Sequence, residues 1–325
     1  MKALVVHELG GPDKLSYEDV PEPEVGAGQV LVDVQAAGVN FPDLLLCRGA
    51  YQFQPERPFS PGGEVAGVVR AVGDGVERLA VGQRVVGLGI WGGFAERMLL
   101  GEERVLPLPD EVSFEVGAAL TTTYGTMVHA YEDRAKLSPG ETVLVLGAAG
   151  GVGTAAIEVA KLMGAKVVAA ASSPEKLAVC RELGADELLD YATEDLKKRA
   201  KALTGGGADV VVDPVGGSYA EPALRATAWE GRFLVIGFAA GEIPKIPLNL
   251  TLLKGCSIVG VFWGSFLARE PERATEQLLR IGRWVAEGKL EPRVSRTYPL
   301  AEGAKALEAL AAREVTGKVV LVPGG

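Results

Sequence analysis

Residues 142–176 read TVLVLGAAGGVGTAAIEVAKLMGAKVVAAASSPEK, an apolar strand, a glycine cluster, a helix and a second strand in succession. That order, completed within about thirty residues, marks a dinucleotide-binding turn far better than a glycine pattern alone. Gly150 lets the backbone approach a pyrophosphate, and Gly153 lets the helix pack closely on the sheet. The turn Ala149, Gly150, Gly151 and Val152 is therefore the expected phosphate cradle, because the helix start presents N–H groups and a positive dipole end. Ala148 stands where the first glycine of such turns usually sits, which a small residue tolerates at negative φ.

The second strand selects the dinucleotide. An NAD site carries an acid about twenty residues past the glycines to bind the ribose 2′-OH. Here KVVAAASS ends in Ser172 and Ser173, with Lys176 and Arg181 following. Hydroxyls and a cation suit a 2′-phosphate, so Ser172 and Lys176 point to NADPH. Glu175 runs against this reading, although it can serve the following helix start through the dipole.

Outward from this stretch, strands are expected at Thr142–Leu146, Lys166–Ala171, Glu187–Asp190, Asp209–Asp213, Arg232–Ile236 and Cys256–Val261. Helical segments between most of them predict a doubly wound parallel sheet of Rossmann type. Earlier residues alternate as short strands broken by Gly and Asp-Gly turns, a β-rich unit. After the sheet, Ala274, Leu278, Ile281 and Val285 share one helical face, with Gly288 as a stop. A second helix is expected around Ala301–Arg313, then a last strand in GKVVLVPGG. That strand follows a finished sheet, so it is expected to pair with the N-terminal β unit.

The 325 residues suffice for two domains, and 48% hydrophobic with 23% charged content reads as globular. No run approaches the ~18 apolar residues of a membrane span. A net charge of -9 offers no basic stripe to nucleic acid. MKALVVHELGG lacks a small-residue cleavage site and reads as a first strand. Three scattered cysteines argue against a disulfide framework and for the cytoplasm. Only two histidines occur, which removes most metal sites and the commonest general base. Two asparagines among many Glu, Arg and Pro match the bias of heat-adapted proteins.

The blocks AAGVNFPDLLLCRGAY, PFSPGGEVAGVVRAVG, GAAGGVG, VVDPVGG, FLVIGFAAG and GKVVLVP resemble the zinc-independent NADPH:quinone oxidoreductases (zeta-crystallin-like) of the medium-chain dehydrogenase/reductase superfamily. The resemblance runs essentially end to end. It implies a GroES-like, β-rich catalytic domain at 1–121 and 266–325, and a Rossmann domain at 122–265. It places Asn40, Asp43 and Tyr51 near the nicotinamide, with Asn40 bonding the cofactor or an acceptor oxygen and Tyr51 donating a proton or stacking. Asn40 and Asp43 can also simply build a turn after the strand. Further cofactor contacts implied by position are Thr126, Tyr191, Gly237, Phe238, Phe262, Trp263, Gly264 and Arg313. For Phe238, Phe262 and Trp263, core packing is the competing role.

Zinc-dependent relatives have Cys where this chain has Asn40 and His where it has Gly63, and they carry a four-cysteine lobe for which nothing here corresponds. Glu64 alone cannot make a zinc site, which needs three ligands and an open position. The expected reaction is hydride transfer from NADPH to a quinone, whose product oxyanion water can protonate. An enoyl-thioester reductase, with Tyr51 as an essential acid, and a non-catalytic NADPH-binding crystallin-like protein are the alternatives. The last Rossmann strand, CSIVGV, is an apolar sheet edge, so a homodimer with a continuous sheet is expected.

Overall fold

The computed structural model describes residues 1–324. They divide into two compact units: Met1–Thr122, Leu278–Gly288 and the described residues from Pro292 on form the first, Thr123–Gln277 and Lys289–Glu291 the second. The described strands, in chain order, are Lys2–Val6 (β1), Leu15–Asp19 (β2), Gln29–Val39 (β3), Glu64–Val72 (β4), Arg84–Leu88 (β5), Arg97–Gly101 (β6), Val105–Pro107 (β7), Thr142–Leu146 (β8), Lys166–Ala171 (β9), Glu187–Asp190 (β10), Ala208–Asp213 (β11), Thr227–Val235 (β12), Ser257–Gly260 (β13), Val294–Pro299 (β14) and Lys318–Val322 (β15).

In the first unit the main sheet runs β14-β15-β3-β4-β5-β7, with β6 also on β3. The expected homing of the last strand is observed. β15 pairs antiparallel with β3, aligning Val319 with Val39 and Leu321 with Ala37. Burial drives this pairing, since Val319, Val320 and Leu321 are closed from solvent, and Val319 and Leu321 join the core of Val32, Leu44 and Val65. Each fully buried Leu or Val of this kind stabilises by about 1.5–3 kcal/mol over its exposed state. A short helix, Phe41–Cys47, leaves β3 directly. Asn40 stands at its N-cap and Pro42 in its first turn, where a missing N–H leaves no helix bond unmade.

The second unit holds one sheet in the order β10-β9-β8-β11-β12-β13. Every neighbouring pair in it is parallel. TVLVL, KVVAAA and ADVVVD are near-continuous apolar runs because strands covered on both faces have no polar side. The strand order reverses between β8 and β11, which puts the ligand crevice outside their carboxyl ends. β12 begins at Thr227, earlier than its sequence pattern indicates. Glu230, in the left-handed region at φ 59°, and Gly231 bend the strand and hide its first half from a periodicity reading. The helix Pro271–Ala286 buries Ala274 and Ile281. Gly288 takes the left-handed φ of 67° that ends such helices.

Candidate active site and cofactor cradle

β8 ends in a turn whose conformations explain the glycines one by one. Gly147 takes the left-handed φ of 57°, so the residue that needs glycine for its backbone precedes Ala148, which is not left-handed. Ala148 N–H instead bonds the Ala170 carbonyl at 3.0 Å, tying the turn to β9. At Gly153 a Cβ would lie 2.3 Å from the Gly147 carbonyl oxygen, so helix and turn touch backbone to backbone. Gly150 is different. Its φ is -77°, and an added Cβ would meet only the Gly147 oxygen at an ordinary 3.4 Å. The fold does not require glycine there, which is what an approaching ligand surface would require. The helix Gly151–Leu162 then opens with amide groups that have no partner inside the helix. These residues fit a pyrophosphate.

At the end of β9, Lys176 Nζ lies 3.4 Å from Ser172 Oγ, while Ser173 caps the helix Pro174–Glu182 by accepting from Lys176 N–H. Ser172 and Lys176 are thus brought together, and Ser173 is occupied structurally. Tyr191 follows β10, bonded through its N–H to Ala171 and stacked obliquely on Tyr219 at 4.6 Å. Asp213 closes β11 by accepting from the Val215 and Gly216 N–H groups, both at 2.8 Å. Its backbone carbonyl receives Ile236 and Gly237 N–H, which fixes the turn that carries Phe238. Sequence reading did not single out Asp213, although Asp before Pro-Val-Gly-Gly is a turn signal. Burial raises its pKa, against those two amide bonds.

Phe262 is 47% exposed, whereas Trp263 is 7% exposed, with its indole against Gly125, one position before the buried Thr126. Trp263 packs beside His129 and Phe266, so its place is in the interior of the second unit. Gly264 lies in the first turn of the helix Trp263–Arg269. Arg313 belongs to the first unit, exposed after the helix Gly303–Ala311 in a left-handed conformation, φ 58°.

Asn40, Asp43 and Tyr51 lie in the first unit around a buried charged cluster. Glu64, 0% exposed, begins β4 and is fully bonded. Its Oε1 accepts from Thr121 Oγ1 at 2.7 Å and Thr122 N–H at 2.9 Å. Its Oε2 accepts from Asn40 Nδ2 at 2.9 Å and Lys318 Nζ at 3.1 Å. Burial alone would raise its pKa, but the Lys318 charge and these bonds together hold it below the ordinary value. Asn40 Nδ2 also donates to the Gly38 carbonyl at 3.3 Å, so both amide hydrogens have internal partners. Only acceptor capacity at Oδ1 remains for a cofactor. Asn40 therefore cannot donate to an acceptor oxygen, one of the two roles expected of it.

Asp43 accepts from Asn40 N–H at 2.7 Å and Gly62 N–H at 3.2 Å. It does build the turn, and burial pushes its pKa up to about 7 despite those bonds. Tyr51 is half-buried against the same core, and its pKa is raised by burial and then by the Asp43 charge. Its phenol thus stays protonated at neutral pH. Lys318 and Thr121 are the members of this cluster that sequence reading missed. Zinc does not fit this cluster: Asn40 and Gly63 fill two ligand positions, and the Lys318 ammonium already lies 3.1 Å from Glu64.

The family of alcohol dehydrogenase GroES-like domains matches residues 26–110, and that of zinc-binding dehydrogenases matches 151–280. A quinone oxidoreductase-like protein 2 homolog from Nematostella vectensis is 40% identical over 98% of this chain and 88% of its own length. A quinone oxidoreductase from Pseudomonas aeruginosa is 35% identical, covering 99% of both chains. The crystal structure of the Thermus thermophilus quinone oxidoreductase, determined also with NADPH, superposes with a TM-score of 0.86 at 40% identity over 99% of this chain and 100% of that one. The turn after β8, the sheet order and the end-to-end similarity converge: the chain belongs to the quinone oxidoreductase family of medium-chain dehydrogenases/reductases.

Proposed function

We propose that the protein is an NADPH:quinone oxidoreductase that works without a metal. The observation that carries this reading is the Asn40–Glu64–Lys318 cluster, in which both Glu64 carboxylate oxygens are engaged by protein donors and the Lys318 ammonium already supplies the cation. Such a site has no Lewis acid to polarise a ketone, so it suits an acceptor that takes a hydride readily, as a quinone does. Bound NADPH supplies that hydride from the nicotinamide C4. Ala149–Val152 seat the pyrophosphate, and Ser172 with Lys176 receives the 2′-phosphate. Thr126, Tyr191, Gly237, Phe238, Phe262, Gly264 and Arg313 complete the cofactor contacts that the resemblance implies, while Trp263 packs in the interior. Asn40 accepts from the cofactor, Asp43 holds Asn40 in place, and Tyr51 stands near the acceptor as a stacking surface or a dispensable proton donor.

Cofactor binding is assigned to 122–265 and catalysis to 1–121 with 266–325. We place the protein in the cytoplasm, with its three cysteines free and buried. Among the described residues no helix is long and apolar enough to cross a membrane. A homodimer is supported by the edge position of β13 and by the preceding helix, Asn249–Lys254, on which Leu252 is 81% exposed. The composition supports heat stability.

Lys176→Ala is expected to raise the NADPH KM about tenfold or more and leave the NADH KM nearly unchanged. Equal loss with both cofactors removes Lys176 from the 2′-phosphate. Tyr51→Phe is expected to lower quinone kcat less than about tenfold, because water protonates the product, whereas an alkene reductase would lose about a hundredfold. Dialysis against a strong chelator should leave quinone turnover unchanged. A chelator-sensitive activity restored by zinc would contradict the metal-free reading.

A further inference from the structure

Lys318 is 3% exposed, and its partner Asn40 lies 278 positions away along the chain. The antiparallel register of β15 on β3, Val319 opposite Val39, is what brings them together. The Lys318 ammonium donates to Asn40 Oδ1 at 2.6 Å, Glu64 Oε2 at 3.1 Å and the Val39 carbonyl at 3.2 Å. The ammonium is thus shared between a carboxylate and a neutral amide.

The bond to Asn40 decides which way round its amide stands. With Oδ1 held by the ammonium, Nδ2 must face Glu64 and the Gly38 carbonyl. Turned over, the amide would set its NH₂ against an ammonium and its oxygen against a carboxylate. We propose that Lys318 is a positioning residue, a built-in cation that orients the Asn40 amide. It takes the electrostatic part that a metal ion plays elsewhere. Lys318 acts through Asn40, with its three ammonium hydrogens directed to Asn40, Glu64 and the Val39 carbonyl. The inference rests on the reading of Asn40 given above.

The test compares Asn40→Ala, the double variant Lys318→Met/Glu64→Gln, and the triple variant in NADPH-dependent quinone reduction. The double variant removes both buried charges together, so neither is left unpaired. It is expected to stay folded by circular dichroism and lose about tenfold or more in kcat with NADPH KM within about threefold, since orientation rather than binding is lost. Adding Asn40→Ala should cause no further fall. Lys318→Gln/Glu64→Gln, which restores a neutral donor toward Asn40, should recover part of the turnover. A folded Lys318→Met/Glu64→Gln variant with wild-type kcat, while Asn40→Ala is slow, overturns the positioning role. If Asn40→Ala turns over like wild type, the reading of Asn40 itself falls. Should Lys318→Met/Glu64→Gln not fold, Lys318→Gln alone carries the comparison, and wild-type kcat in it while Asn40→Ala is slow overturns the proposal.

Discussion

Gly150→Val is expected to raise the Kd for NADPH at least about a hundredfold, the effect of a branched side chain where backbone must meet pyrophosphate. The protein should remain folded. Its backbone at Gly150 is one that any residue adopts, with φ -77°. The nearest atom to an added Cβ is 3.4 Å away. Loss of binding with an unchanged melting curve therefore separates ligand contact from folding, which Gly153 cannot do because the fold itself excludes a side chain there. Calorimetric titration with NADPH measures the effect, and retained affinity would place the cofactor elsewhere.

Glu64→Ala is the second large effect. It leaves the Lys318 ammonium buried without its counter-charge, a loss of about 3–5 kcal/mol in comparable buried pairs. Guanidinium unfolding should show this loss, and adding Lys318→Met should return most of it, because the orphaned charge is then gone too. The sign with pH follows from the lowered Glu64 pKa. Its contribution is present above the unfolded carboxylate value and is lost as pH falls through the lower folded one. The wild type should therefore lose stability relative to the Glu64→Ala/Lys318→Met variant only on acidification. A Glu64→Ala loss below about 1 kcal/mol, the range of exposed pairs, would mean that water reaches the ammonium.

What sequence reveals about this protein follows the range of the interactions. The turn Ala149–Val152 is legible because strand, turn and helix are neighbours in sequence. The parallel strands β8 and β9 are legible because burial on both faces makes them continuous apolar runs. The start of β12 is not, since the bend at Glu230 interrupts the pattern. Glu64 stands out in PGGEVAGVV, but its meaning depends on Lys318, which the pairing of β15 with β3 delivers from the far end of the chain. A lysine in GKVVLVP reads as an ordinary strand-edge charge until that register is known. The internal engagement of the Asn40 amide, invisible in sequence, has the same origin.

The central claim, hydride transfer from NADPH to a quinone without metal assistance, is tested most directly by one steady-state panel. Chelator-treated enzyme is given NADPH with ortho-quinones, para-quinones and enoyl thioesters in turn, and kcat/KM is compared. The account predicts efficient NADPH oxidation with at least one quinone class and much slower turnover of the thioesters. Efficient reduction of the thioesters with quinones inert would contradict it, as would no NADPH oxidation with any acceptor.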